Sequence, residues 1–105
     1  MNLSNTRLTE AEKFELRDLR EMQEDMIVVH NGYDTVIVAK NTGNVVKFAT
    51  AVKSPDEKKF RRKVGEYLAR MHFENSETVQ FSVGEFNEFC HLMGYALKDG
   101  TEPAL

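Results

Sequence analysis

The chain has 105 residues and a net charge of −3, with 41% hydrophobic and 30% charged residues, a balance typical of one soluble globular domain. No apolar run approaches the roughly 20 residues of a membrane-spanning helix, and the N-terminal residues lack the apolar core of a signal peptide. The single cysteine excludes an internal disulfide and suits a reducing compartment, so we expect a cytoplasmic protein that does not enter a membrane.

A capping box predicts where the first helix begins. Thr9 is followed three residues later by Glu12, and in this pattern each side chain accepts a hydrogen bond from the other residue's backbone N–H. Apolar residues then recur at helical spacing as far as Met26. We therefore predict a helix from about residue 10 to residue 23 or slightly beyond.

Two turn signals predict a three-stranded antiparallel meander after this helix. Asn31-Gly32 is typical of a tight hairpin, because both positions of that turn need a positive φ, and Asn41-Thr42-Gly43 suits a three-residue loop. The cross-strand pairs that follow from these turns are Val28 with Thr35 and Val38 with Val46. The apolar residues that then share one face of the sheet are Ile27, Val36, Val38, Val46 and Phe48. The opposite face is mixed in character.

A second capping box, Ser54–Glu57, has Pro55 at the favoured first helical position and predicts a helix over residues 55–72. The residues expected to form its buried stripe are Phe60, Val64, Tyr67, Leu68 and Met71.

The remaining elements complete an α+β fold. Alternation over residues 78–81 predicts a short fourth strand, and Ser82, with Glu85 three residues later, predicts a third helix that ends at Gly94. The fold class is therefore α+β, with a three- to four-stranded antiparallel β-meander, helices packed mainly on one face, and the order α-β-β-β-α-(β)-α. We expect one domain over residues 1–97 and a loose C-terminal tail over residues 98–105.

The second helix is where the positive charge concentrates. Residues 53–72 hold seven Lys and Arg residues against three Asp and Glu residues, in a chain that is acidic overall. Helical spacing spreads these cations around the exposed arc and places Gly65 and Ala69 opposite the buried stripe, where a partner could approach closely. The candidate residues for binding a partner or nucleic acid are Lys58, Lys59, Arg61, Arg62, Lys63, Gly65, Ala69 and Arg70.

No pattern in the sequence indicates catalysis. Cys90 lies on the apolar stripe of the third helix, where a thiol behaves as a small hydrophobe. His30 adjoins a hairpin turn, where histidine more often packs than reacts. There is no phosphate-binding or dinucleotide-binding motif and no metal-ligand spacing, so we expect no enzymatic activity, no cofactor and no metal.

Two functions follow from these features. The first is a small protein-interaction or regulatory module, of the kind found among phage or mobile-element accessory proteins. Its partner would be another protein or a second copy of the chain. A homodimer would form through the mixed sheet face or an edge strand. The alternative is nucleic-acid binding through the basic face of the helix at residues 55–72, which the sequence pI of about 5.6 disfavours.

Overall fold

The computed structural model of the protein describes residues 7–105. The helices are α1 (Glu10–Met22), α2 (Arg62–Glu74) and α3 (Val83–Met93), and the strands are β1 (Ile27–His30), β2 (Thr35–Asn41), β3 (Val45–Val52) and β4 (Val79–Ser82). The four strands form one antiparallel sheet in the order β1-β2-β3-β4. The α+β class, the antiparallel sheet and the element order are confirmed, and the fourth strand is present. Within residues 7–105, no helix has the length and apolar character that crossing a membrane requires.

Two of the predicted helix starts are confirmed by their hydrogen bonds. The Thr9 hydroxyl accepts from the Glu12 N–H at 3.1 Å, and the Glu12 carboxylate accepts from the Thr9 N–H at 2.8 Å. Ser82 and Glu85 make the same reciprocal pair at the start of α3. Gly94, with φ of 72°, ends α3 in the left-handed conformation as predicted.

The predicted strand register is wrong at both hairpins. Val38 lies opposite Val28 in β1 and opposite Ala49 in β3, which is a shift of three residues at each turn. In the first hairpin, the Asn31 side-chain carbonyl accepts three backbone N–H groups, from residues 33, 34 and 35, and stabilises a longer loop than the predicted tight turn. In the second hairpin, the Thr42 N–H donates to the Val45 carbonyl around Gly43, so the turn is centred further along the chain than predicted.

Because the shift is an odd number of residues, β2 presents the opposite faces from those predicted. Val38 packs with Ala51 and Ala69 beneath α2. The other face of the sheet is covered by α3. The buried residues on that side are Val29, Ile37, Ala39, Val46, Phe48, Phe86, Cys90 and Tyr95. Two of the three helices lie on one side of the sheet, since α1 packs on α2, and both faces of the sheet contribute to the core.

The start of α2 lies seven residues later than predicted. The Glu57 N–H donates to the Ser54 carbonyl at 3.0 Å, which closes a turn instead of opening a helix. The Lys53 ammonium donates to the carbonyls of Ser54 and Glu57 at 3.2 and 2.8 Å. These carbonyls would otherwise accept helical hydrogen bonds, so the Ser54–Glu57 box does not initiate the helix. Lys58 and Lys59 consequently lie in the connection before α2.

The expectation that Gly65 and Ala69 face outward is also wrong. Ala69 is fully buried against the sheet. A Cβ placed on Gly65 would lie 2.5 Å from Cγ2 of Val36, closer than any normal contact. The surface that approaches these two small residues is therefore the protein's own sheet. The stripe that includes Val64 and Tyr67 instead packs on α1.

Arg70, predicted to be part of an exposed basic surface, is buried in a polar network between α1 and α2. It donates to Glu66 at 2.8 Å and to the side-chain carbonyl of Gln23 at 3.0 Å. Arg20 donates two hydrogen bonds of 2.7 Å to the same Glu66 carboxylate. Burial by itself would raise the pKa of Glu66, but the hydrogen bonds and charges of the two arginines outweigh it and lower that pKa below its ordinary value of 4.5.

The C-terminal segment, expected to be loose, is held against α3. The Leu105 N–H donates to the Asn87 side-chain carbonyl at 3.1 Å, and the Asn87 amide donates back to the Leu105 carbonyl at 3.4 Å. Pro103 is buried, and Leu105 packs against the core beneath α3. Burial of apolar side chains therefore holds the tail in place, although its Gly and acidic residues are typical of a loose segment.

Replacing Gly65 with Ala should destabilise the fold. The added methyl group collides with the stiff, fully buried Val36, an overpacking cost of about 1–3 kcal/mol that exceeds the gain of about 1 kcal/mol in helix propensity. Urea unfolding should show a net loss. Gly84→Ala in α3 is the matched control, because nothing lies within 4 Å of its Cβ position, and this variant should be as stable as the parent or more so. Equal behaviour of the two variants would contradict the close contact.

Replacing Glu66 with Gln should lower the free energy of unfolding at neutral pH and make that free energy fall less steeply as the pH is lowered. A carboxylate whose folded pKa is depressed stabilises the protein above its unfolded pKa, and that stability is lost as the pH falls below 4.5 through the lower folded value. The loss at neutral pH should be about 2–3 kcal/mol, since buried Arg70 and the more exposed Arg20 both lose their counter-charge. Glu10→Gln, on an exposed carboxylate paired with Lys13, should change stability by less than about 0.5 kcal/mol. Parallel stability–pH curves for the parent and the Glu66 variant would contradict this account.

Candidate functional site

A groove of about 550 Å³ opens between the start of α1 and the segment that leads into α2. Its apolar floor is formed by Leu8, Leu16, Phe60 and Val64. Its rim is formed by seven cationic side chains: Arg7, Lys13, Arg20, Lys59, Arg61, Arg62 and Lys63. None of the described residues that line it is acidic. We call this feature the cationic groove.

The groove exists because α2 begins late and packs under α1. Val64 belongs to the apolar cluster with Leu8 and Leu16, and this contact brings the residues just before it beside α1. Arg61, the N-cap residue, has an extended backbone and no side-chain capping bond, and the first turn of α2 contains no acid. The partial positive charge of the helix start therefore adds to the side-chain charges around the groove.

The cations of the rim differ in how far they are neutralised. Arg20 is paired with Glu66 at 2.7 Å, and Lys13 with Glu10 at 3.3 Å. Lys59, Arg61 and Lys63 form no ion pair with any residue in the described part of the chain. The α2 side of the groove therefore carries positive charge without a counter-charge, in a protein whose net charge is negative.

Arg62 is held at the rim by His30. The Arg62 Nη1 atom lies 3.0 Å from the His30 Nε2 atom. Since arginine can only donate, Nε2 must accept, and the ring proton lies on Nδ1. That Nδ1 atom is buried without a partner among residues 7–105. Burial, followed by the positive charge of Arg62, lowers the pKa of His30 below its ordinary value of 6.5, so the neutral ring is favoured at pH 7.

The structure brings together four of the eight candidate residues from the sequence. Lys59, Arg61, Arg62 and Lys63 line the groove, whereas Lys58 is exposed on the same connection but is not part of the groove wall. The other three, described above, lie inside the fold.

Sequence reasoning missed the α1 side of the groove. Arg7, Lys13 and Arg20 lie in a stretch whose net charge is negative, which concealed them. A signal was present, because Lys13, Leu16 and Arg20 follow one another at spacings of three and four residues and share one side of a helix. Their meeting with residues 59–64 depends on tertiary packing.

The basic surface continues from the groove over the outer face of α1. Phe14 is 56% exposed, and the Arg17 guanidinium carbon lies 4.9 Å from the centre of its ring. A shallow depression beside them shares Lys13 and Arg20 with the groove. An extended ligand could follow this surface, with one acid, Glu10, at its edge.

The lining of the groove offers guanidinium, ammonium and hydrocarbon groups to a ligand. Cys90 lies elsewhere, on the buried side of α3, and burial raises the pKa of its thiol to about 11, which disfavours the reactive thiolate. Within residues 7–105, no three His, Cys, Asp or Glu side chains are placed to hold a metal ion. The arrangement suits an anionic ligand that also carries an apolar group.

Replacing Arg62 with Gln should raise the pKa of His30 toward 6.5, because the nearby positive charge is removed while the burial remains. The measurement is an NMR titration of the His30 ring. Lys58→Gln is the control, since it removes an equal charge from an exposed residue of the connection before α2, outside the groove, and should leave the titration unchanged. An unaltered His30 pKa in the Arg62 variant would contradict the contact.

Comparisons with known proteins identify no relative: no protein-family model, no curated protein and no solved structure matches this chain.

Proposed function

We propose that the protein is a non-catalytic interaction module that binds an acidic segment of a protein partner in the cationic groove. The observation that carries this proposal is the ring of seven cations around an apolar floor, without an acid among the described lining residues. Carboxylates of the partner would meet the rim, and an apolar side chain would rest on the floor.

The form of the groove supports a ligand of mixed character. A free inorganic anion would satisfy the rim and leave the half-buried ring of Phe60 uncovered. Arg61 and Arg62 offer the planar fork that pairs with carboxylates through two parallel hydrogen bonds. The volume lies within the range of about 300–1,000 Å³ that is common for ligand sites, which is enough for one or two side chains.

Single-stranded nucleic acid is the second candidate, and a specific observation favours it. Phe14 is exposed beneath Arg17, and half-buried Phe60 lies in the groove between cations. Exposed aromatic rings among cations are the usual means of stacking unpaired bases. The protein partner ranks first, because Glu10 interrupts the basic surface near Phe14 and the chain as a whole carries a net charge of −3.

Charge reversal in the groove should abolish binding of acidic peptides. The variant is Arg61→Glu with Lys63→Glu, and the control is Lys58→Glu with Lys98→Glu, which changes the net charge equally on exposed residues outside the groove. Fluorescence anisotropy would compare peptides of Asp and Glu that do or do not contain a central Leu, alongside single-stranded DNA and RNA. We expect the groove variant to bind the Leu-containing peptide at least tenfold more weakly, about 1.4 kcal/mol, and the control to bind it normally.

A floor variant separates the apolar contribution from the charge. Phe60→Ala should weaken binding of the Leu-containing peptide and leave the peptide without Leu nearly unaffected. Steeply salt-dependent binding of nucleic acid, without binding of either peptide, would assign the groove to the second candidate. No binding of peptide or nucleic acid at low salt would contradict both functions.

A further inference from the structure

The C-terminal half of α1 has the chemistry that the cationic groove requires of its partner. Met22 is 66% exposed there and projects from the helix. The acidic residues around it, all exposed, are Asp18, Glu21, Glu24 and Asp25. We call residues 18–25, which comprise the last part of α1 and the turn that follows it, the acidic end of α1. It combines a protruding apolar side chain with carboxylates on the same short segment.

The carboxylates of this end remain largely available. The basic residue within it, Arg20, turns away to bind Glu66 between the helices. Asp25 makes one long contact of 3.7 Å with Lys40. On the adjoining flank, a shallow depression contains Met22 and Met71 together with Asp18, Glu15 and Glu74, and none of its described lining residues is basic. Negative charge therefore surrounds Met22 on the helix and beside it.

We infer that the acidic end of α1 of one copy docks in the cationic groove of a second copy. Met22 would rest on the floor formed by Leu8, Leu16, Phe60 and Val64, and Asp18 and Glu21 would meet Lys59, Arg61 and Lys63. Methionine suits this contact because its unbranched side chain adapts to irregular apolar surfaces. This inference rests on the proposed function, since it names the acidic segment that the groove binds.

The geometry determines the type of assembly. The groove and the acidic end are different surfaces of the same chain, so two copies that exchange their ends reciprocally form a closed two-fold dimer. Where only one of the two contacts forms, each added copy leaves one groove and one acidic end unoccupied, and association continues with concentration or closes into a ring. The opposite charges of the two surfaces make the association sensitive to salt.

Sedimentation velocity of the full chain tests this inference. At low salt and high protein concentration, the weight-average mass should rise to about twice the 12.1 kDa of the chain or above, and it should return to the monomer at about 0.5 M salt. Two variants should each stay monomeric: the groove variant Arg61→Glu with Lys63→Glu, and the end variant Asp18→Lys with Met22→Lys. The control variant is Leu92→Lys with Glu77→Lys, which changes one exposed apolar residue and one exposed acidic residue outside both surfaces. It should associate like the parent.

Mixing the two monomeric variants provides the decisive result. The groove variant keeps an intact acidic end, and the end variant keeps an intact groove, so an equimolar mixture should form a complex that neither forms alone. This recovery also shows that both variants are folded. A parent protein that stays monomeric at low salt, or a mixture that forms no complex, would overturn the inference. The proposed function fails separately, if the monomer binds neither acidic peptide.

Discussion

The close approach of α2 to the sheet determines how the rest of the molecule is arranged. Gly65 lies against Val36 and Ala69 against Val38 and Ala51, so the helix lies low over β2 and β3. Small residues occupy this face, and the larger side chains of Val64 and Tyr67 point away from the sheet, while Leu68 contacts both sides. They form a second interface on which α1 packs. A larger residue at position 65 would separate the helix from the sheet and move every element above it.

The charge distribution follows from this stacking of α1 on α2. Where the two helices meet, Glu66 neutralises Arg20 and Arg70, and Gln23 provides further hydrogen bonds. None of the described residues that line the groove is acidic, so cations surround its apolar floor without an acid between them. A net charge of −3 for the chain therefore coexists with a local positive site. The acidic residues at the C-terminal end of α1 are exposed, so both kinds of surface occur on one small domain.

Local signals predicted some elements well and others poorly, for identifiable reasons. The helix starts at Thr9 and Ser82 and the helix end at Gly94 depend on hydrogen bonds within a few residues, and they were predicted correctly. The box at Ser54 depends equally on neighbours, but Lys53 competes for its carbonyls. The two predicted turns agreed with each other although the strand register was wrong by three residues at each, because the two errors left β1 and β3 on a common face and reversed only β2.

The sequence by itself determined the α+β class, the order of the elements, two helix starts, one helix end and the cationic character of residues 59–63, because each depends on near neighbours or on composition. Only the tertiary structure decided which faces of α2 are buried, since two different stripes of that helix are covered, one by the sheet and one by α1. It also decided that Arg70 is buried and paired with Glu66, whereas Lys13 and Arg20 line the groove. Helical periodicity shows which residues share a side of a helix, but the packing of distant segments determines what that side meets.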